Sequence, residues 1–112
     1  MFKVEAVIQP FRLTEVQRAL VGDGVRGMTV TEIKGFAQDE WHTEHYRGAD
    51  YRIDLERRLM IRVVVPENRL SNVMKVIQGV NNTDKIAEGS ICVSRVEDLM
   101  NIRTGQIGRQ TI

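Results

Sequence analysis

Between Trp41 and Arg58 the chain reads WHTEHYRGADYRIDLERR, and this stretch gathers side chains that could do chemistry. Tyr46 and Tyr51 bracket Arg47, Gly48, Ala49 and Asp50. An exposed phenol can accept a transferred group. A guanidinium on a loop tip can enter a narrow vestibule and hydrogen-bond a row of acceptors. His42 and His45, with Glu40 and Glu44 beside them, are metal-ligand types, but two histidines three apart on a loop are more often solvated than ligands. The single Cys92 excludes an internal disulfide and cannot build a cysteine metal site alone. It sits in an apolar, strand-like run, which predicts a buried, inert thiol. No Ser/His/Asp order, Walker loop or zinc spacing is present.

The rest of the chain must position that loop. Its 112 residues make one domain, large enough to bury a core without staples. Lys+Arg 16 balances Asp+Glu 15, so no global field draws the chain to nucleic acid or anionic membrane. Only six rings exist (Phe 3, Trp 1, Tyr 2), too few mid-strand for an RNA-binding sheet. The N-terminal run alternates as a strand from the start and no membrane-length apolar run follows, so the expectation is a cytoplasmic protein.

Phe2, Val4, Ala6 and Ile8 alternate with Lys3, Glu5 and Gln9, and Val7 hints that both faces are partly buried. Pro10 ends this strand. Leu13, Val16, Ala19 and Leu20 then share a helical face, with Thr14 and Gln17 as a capping box and Gly22 and Gly24 at the close. Residues 28–35 read as a second strand, rich in β-branched side chains. Residues 59–65 form a third, ended by Pro66. Leu70, Val73, Met74 and Ile77 mark a second helix that Gly79 stops, and residues 91–96 form a fourth strand. The order predicts an α+β fold, a ferredoxin-like βαββαβ sandwich with both helices on one sheet face. The other face would display Val7, Met60, Val64 and Cys92, apolar enough to require a partner.

With these elements placed, the chain resembles the PII family of nitrogen-signalling proteins. The resemblance rests on Pro10-Phe11, residues 27–32 (GMTVTE), Lys34-Gly35-Phe36, His42-Thr43-Glu44, residues 46–51 (YRGADY), Val64-Val65-Pro66 and residues 102–105 (IRTG), all at the family's spacing. It implies a single domain over 1–112: a long projecting T-loop at about 37–58, a nucleotide-type loop at about 81–90 and a C-terminal tail at 97–112. It further implies a homotrimer with nucleotide clefts between subunits, acting as a regulator and not an enzyme. The implied nucleotide contacts are Thr29, Gly35, Phe36, Ala37, Gln38, Val64, Lys85, Gly89 and Arg103, with ATP or ADP as ligand and AMP as a third candidate. The implied partner is an ammonium channel or an enzyme of nitrogen assimilation, docked through Tyr46, Arg47 and Tyr51. A channel partner would recruit the protein to the inner membrane. Tyr51 matches the site at which a nucleotidyltransferase modifies many members. Ala49 stands where other members carry a phosphorylated serine.

The chain also departs from the family pattern. The phosphate loop, usually Thr-Gly-Lys-Ile-Gly-Asp-Gly-Lys, here runs Thr83-Asp84-Lys85-Ile86-Ala87-Glu88-Gly89-Ser90, and Asn101 replaces the first of two arginines. Near polyphosphate this removes two cations and adds one anion. Each charge-assisted contact is worth about 1.5–3 kcal/mol. Arg62, where the family often has an acidic residue, brings a compensating charge. For the effector 2-oxoglutarate, Asp39 takes the place of a Mg²⁺-binding glutamine and Arg58 that of a carboxylate-binding lysine. The alternative is therefore a diverged member with weak or lost ATP and 2-oxoglutarate binding, sensing another small molecule or acting as a constitutive interaction module.

Overall fold

The structure is a computed structural model that describes residues 1–36, 55–81, 90–108 and 112. Four strands, β1 (Phe2–Ile8), β2 (Thr29–Gly35), β3 (Glu56–Val65) and β4 (Ile91–Arg95), form one sheet in the order β2-β3-β1-β4. Two helices, α1 (Leu13–Gly22) and α2 (Glu67–Asn81), complete the βαββαβ order. Every pairing is antiparallel, so β1 runs parallel to β2 although β3 lies between them. This is the expected ferredoxin-like architecture.

The alternation in β1 and β3 decides which face is the core. Val4 opposes Val63, Ala6 opposes Ile61 and Ile8 opposes Leu59, and all six are buried. Val16 and Leu20 from α1 and Val73 and Ile77 from α2 close over them. Each fully buried aliphatic of this kind contributes roughly 1.5–3 kcal/mol relative to exposure. On the opposite face Val7 pairs with Met60 and Lys3 with Val64, and the three apolar side chains there are half-buried.

Four local readings change. Helix α1 is entered through a 3-10 turn, Pro10–Arg12, and Arg12 is its N-cap without a side-chain cap bond. The Thr14–Gln17 capping box therefore does not form: Pro10 starts the turn early and leaves Thr14 inside the helix. Arg12 instead pairs with Glu15 at 3.3 Å. Gly79 does not stop α2, which continues to Asn81, whose side-chain amide donates to the Ile77 carbonyl at 2.7 Å. A glycine inside a packed helix costs only about 1 kcal/mol, which tertiary burial offsets. Strand β3 begins at Glu56, so Arg58 belongs to a strand and not to the loop. Cys92 is exposed, because its register with Glu5 turns it to the helix-free face of edge strand β4.

At the α1–β2 junction Gly24 adopts φ +90°, a left-handed conformation that glycine takes without a Cβ penalty. Beside it Asp23 ties the turn to α2. Asn72 and Arg69 donate hydrogen bonds to its side chain and carbonyl respectively. Asp23 Oδ2 also lies 3.1 Å from Arg69 Nη2, an ion pair without hydrogen-bond alignment.

Candidate functional site

The sheet separates the candidate nucleotide residues into two groups. Thr29 opens β2 and Gly35 closes it, about 20 Å apart at the usual strand rise. Thr29 pairs with Arg62, whereas Gly35 pairs with Glu56 at the far end of β3. Val64 lies near the Thr29 end, and Phe36, 57% exposed, follows Gly35 at the other. One chain cannot bring both groups onto the same base. Ala37, Gln38, Asp39, Tyr46, Arg47, Tyr51, Lys85 and Gly89 lie outside the described residues.

At the Thr29 end the chain forms a groove of about 930 Å³. Its lining joins the apolar Met28, Val64, Pro66 and Val96 to five basic residues. Lys3 and Arg62 come from the helix-free face of the sheet, Arg26 from the segment before β2, Arg69 from α2 and Arg95 from the end of β4. Among the described residues that line it there is no aspartate or glutamate. Arg69 is held by Asp23, and Lys3 lies 3.5 Å from Glu5. The Arg95 guanidinium sits 5.3 Å from the centre of the Phe2 ring. Of these five cations only Arg62 carries a signal in sequence. The others stand on separate elements, and no linear pattern joins them.

At the Gly35 end the tips of β2 and β3 form a two-stranded stem. Arg57 pairs with Glu32 at 2.8 Å across it, on the helix side. Arg58, the candidate effector contact, pairs with Glu56 and donates from Nη1 to the Arg57 carbonyl at 2.8 Å. A carboxylate ligand would have to compete with Glu56 for it. Among the described residues no group of three or more metal-ligand side chains occurs.

Arg103 sits on a tight turn beyond β4. The Asn101 side-chain oxygen accepts the amides of Arg103 (2.9 Å) and Thr104 (3.1 Å). The Gly105 amide, at φ +74°, donates to the Asn101 carbonyl at 2.8 Å, and Met100 bridges to Ile107. Asn101 thus shapes the turn that holds Arg103. Arg103 itself is exposed.

Comparison with known proteins places this geometry. The family model for nitrogen regulatory protein P-II matches residues 1–106. Nitrogen regulatory proteins P-II of Cereibacter sphaeroides and Rhizobium meliloti are each 43% identical over 112 residues, covering all of both chains. The solved structure of Arabidopsis thaliana PII bound to citrate superposes with a TM-score of 0.78 at 29% identity, covering 97% of this chain and 89% of that one. With a family match over nearly its whole length and full-length relatives of this identity, the chain belongs to the nitrogen regulatory protein P-II family.

Proposed function

We propose that this P-II family chain is a homotrimeric, non-enzymatic regulator of nitrogen metabolism that reads an adenine nucleotide in clefts between its subunits. The observation that carries the reading is the match over residues 1–106 to nitrogen regulatory protein P-II. The separation of Thr29 and Val64 from Gly35 and Phe36 supports the inter-subunit cleft, because a second copy must bring the two groups to one ligand. The half-buried Val7, Met60 and Val64 on the helix-free face supply apolar surface for that assembly.

In this reading ATP or ADP is held by Thr29, Gly35, Phe36, Ala37, Gln38, Val64, Lys85, Gly89 and Arg103, with AMP a third candidate. Asp39 and Arg58 serve 2-oxoglutarate, Asp39 through Mg²⁺. The T-loop, with Tyr46, Arg47 and Tyr51, docks on an ammonium channel or a nitrogen-assimilation enzyme, and a nucleotidyltransferase blocks docking by modifying Tyr51. The protein works in the cytoplasm and reaches the inner membrane through a channel partner. No helix among the described residues is long and apolar enough to cross a membrane itself. The Arabidopsis thaliana relative bound to citrate supports small-anion binding by this scaffold.

Titration calorimetry of the assembled protein with ATP, ADP and AMP, with and without Mg²⁺ and 2-oxoglutarate, tests the reading. Micromolar ATP binding that 2-oxoglutarate strengthens is the expected result. No nucleotide heat from an intact trimer would overturn the sensing half of it.

A further inference from the structure

We infer that Asp23, gripped by Arg69 and Asn72, is a positioning residue for the Thr29 end of the sheet. It pins the segment that enters β2 against α2, so that nucleotide affinity depends on a residue outside the candidate contact set. The inference rests on the nucleotide reading above and names a device that tunes it.

Local structure gives Asp23 no reason to be acidic. It is the C-cap residue of α1, and its amide donates to the Ala19 and Leu20 carbonyls at 3.0 and 3.1 Å. A carboxylate there faces the negative end of the α1 macrodipole, and Arg69, in the first turn of α2, faces a positive end. Each charge is misplaced on its own helix. Together they are complementary: Asp23 Oδ2 lies 3.1 Å from Arg69 Nη2, which also donates to the Asp23 carbonyl. Asn72, three residues further along and so on the same face of α2, donates to Asp23 Oδ1. The Asp23 side chain is only 13% exposed, and a carboxylate so far withdrawn from water is costly unless it is paired. Three oxygens of one residue therefore face α2, an arrangement that the turn itself does not require.

What Asp23 holds is the entry to β2. Residues 25–28 belong to neither helix nor strand, and Thr29 is the first residue of the ladder, paired with Arg62. The end of an element is where it frays. On the α1 side the Gly24 and Val25 amides donate to the Val21 and Leu20 carbonyls, each at 3.0 Å, and Val25 and Met28 pack against the core. The Asp23 contacts tie the same segment to α2. Residues 24–29 line the groove in succession, so a shift at Asp23 moves one of its walls, with Thr29 at the end.

The test pairs residue-resolved hydrogen exchange with ATP calorimetry on the full-length protein. Asp23→Asn and Arg69→Gln should each speed exchange at Gly24 and Val25 about tenfold, the scale of one charge-assisted contact, and leave Val4 and Ile61 unchanged. Each should weaken ATP binding by about three- to tenfold with unchanged circular dichroism. The two losses should not add in the double variant. Nor should Asp23→Asn weaken ATP further in a Thr29→Val background, because residues that act through one another are non-additive. Glu15→Gln, at an exposed position of α1, should change neither readout. Additive losses with Thr29→Val, or unchanged exchange at Gly24 and Val25, would overturn the inference in a protein that binds ATP. An undiminished loss from Arg69→Gln in the Asp23→Asn background would make Arg69 a direct ligand contact and overturn it too. Absence of ATP heat in the parent would overturn the nucleotide reading and the affinity half of this one, while the exchange data still decide whether Asp23 pins the turn.

Discussion

The Asn101 side-chain oxygen accepts the Arg103 backbone amide at 2.9 Å, so Asn101 fixes the turn from which this arginine projects. A second bond, from the Thr104 amide, completes the arrangement. Net hydrogen bonds of this kind contribute about 1 kcal/mol each. Asn101→Ala should therefore speed amide exchange at Arg103 and Thr104 by roughly tenfold while leaving the core amides unchanged. Hydrogen exchange read residue by residue checks this, and equal rates in the two proteins would show that the turn holds without the side chain.

Ile61 is fully buried in β3, with Ala6 on one flanking strand and Val30 on the other. Ile61→Ala should cost about 2–5 kcal/mol, as the lost transfer energy adds to a cavity that sheet backbone cannot close. Urea unfolding measures it. A loss below about 1 kcal/mol would mean that the helices collapse onto the space.

The Glu32–Arg57 pair lies 2.8 Å apart but is well exposed on both sides, 73% and 65% by side chain. Solvent screening limits such a pair to about 0–1 kcal/mol. Arg57→Ala should shift the urea midpoint little, which would assign the loop stem's order to the β2–β3 ladder.

At Gly24 the φ of +90° sets the cost of substitution, since a Cβ there would meet only Arg69 Nη2 at an ordinary 3.5 Å. Gly24→Ala should destabilise by about 1 kcal/mol through backbone strain alone. An unchanged thermal midpoint would show that the turn relaxes to a negative φ.

For the assembly, sedimentation of the purified protein should give three times the 12.8 kDa chain mass. Met60→Glu places a charge in the middle of the half-buried helix-free face and should shift the population to monomer. A monomeric parent protein would remove the cleft on which the nucleotide reading depends.

Local pattern in the sequence determined most of the framework. Alternation in residues 2–8 and 59–65 selects the face of each strand, and Pro10 and Pro66 mark where the ladders end. The spacing of Val16, Leu20, Val73 and Ile77 gives each helix its buried stripe. These signals are legible because a strand or helix period is a property of neighbours along the chain. The short motifs, from residues 27–32 to 102–105, carried the family assignment for the same reason.

What only the tertiary structure decided lies between segments distant in sequence. Cys92 is exposed because β4 is an edge strand in a particular register with β1. Gly79 stays helical because α2 packs over the sheet, which outweighs its intrinsic propensity. Asn101 reads in sequence as an absent charge, and only the folded turn shows its side chain bonding Arg103. The groove is the strongest case: Lys3, Arg26, Arg62, Arg69 and Arg95 line one cavity only when strand pairing and helix packing bring them together. Charge acts through space, and the sequence encodes that space only through the completed fold.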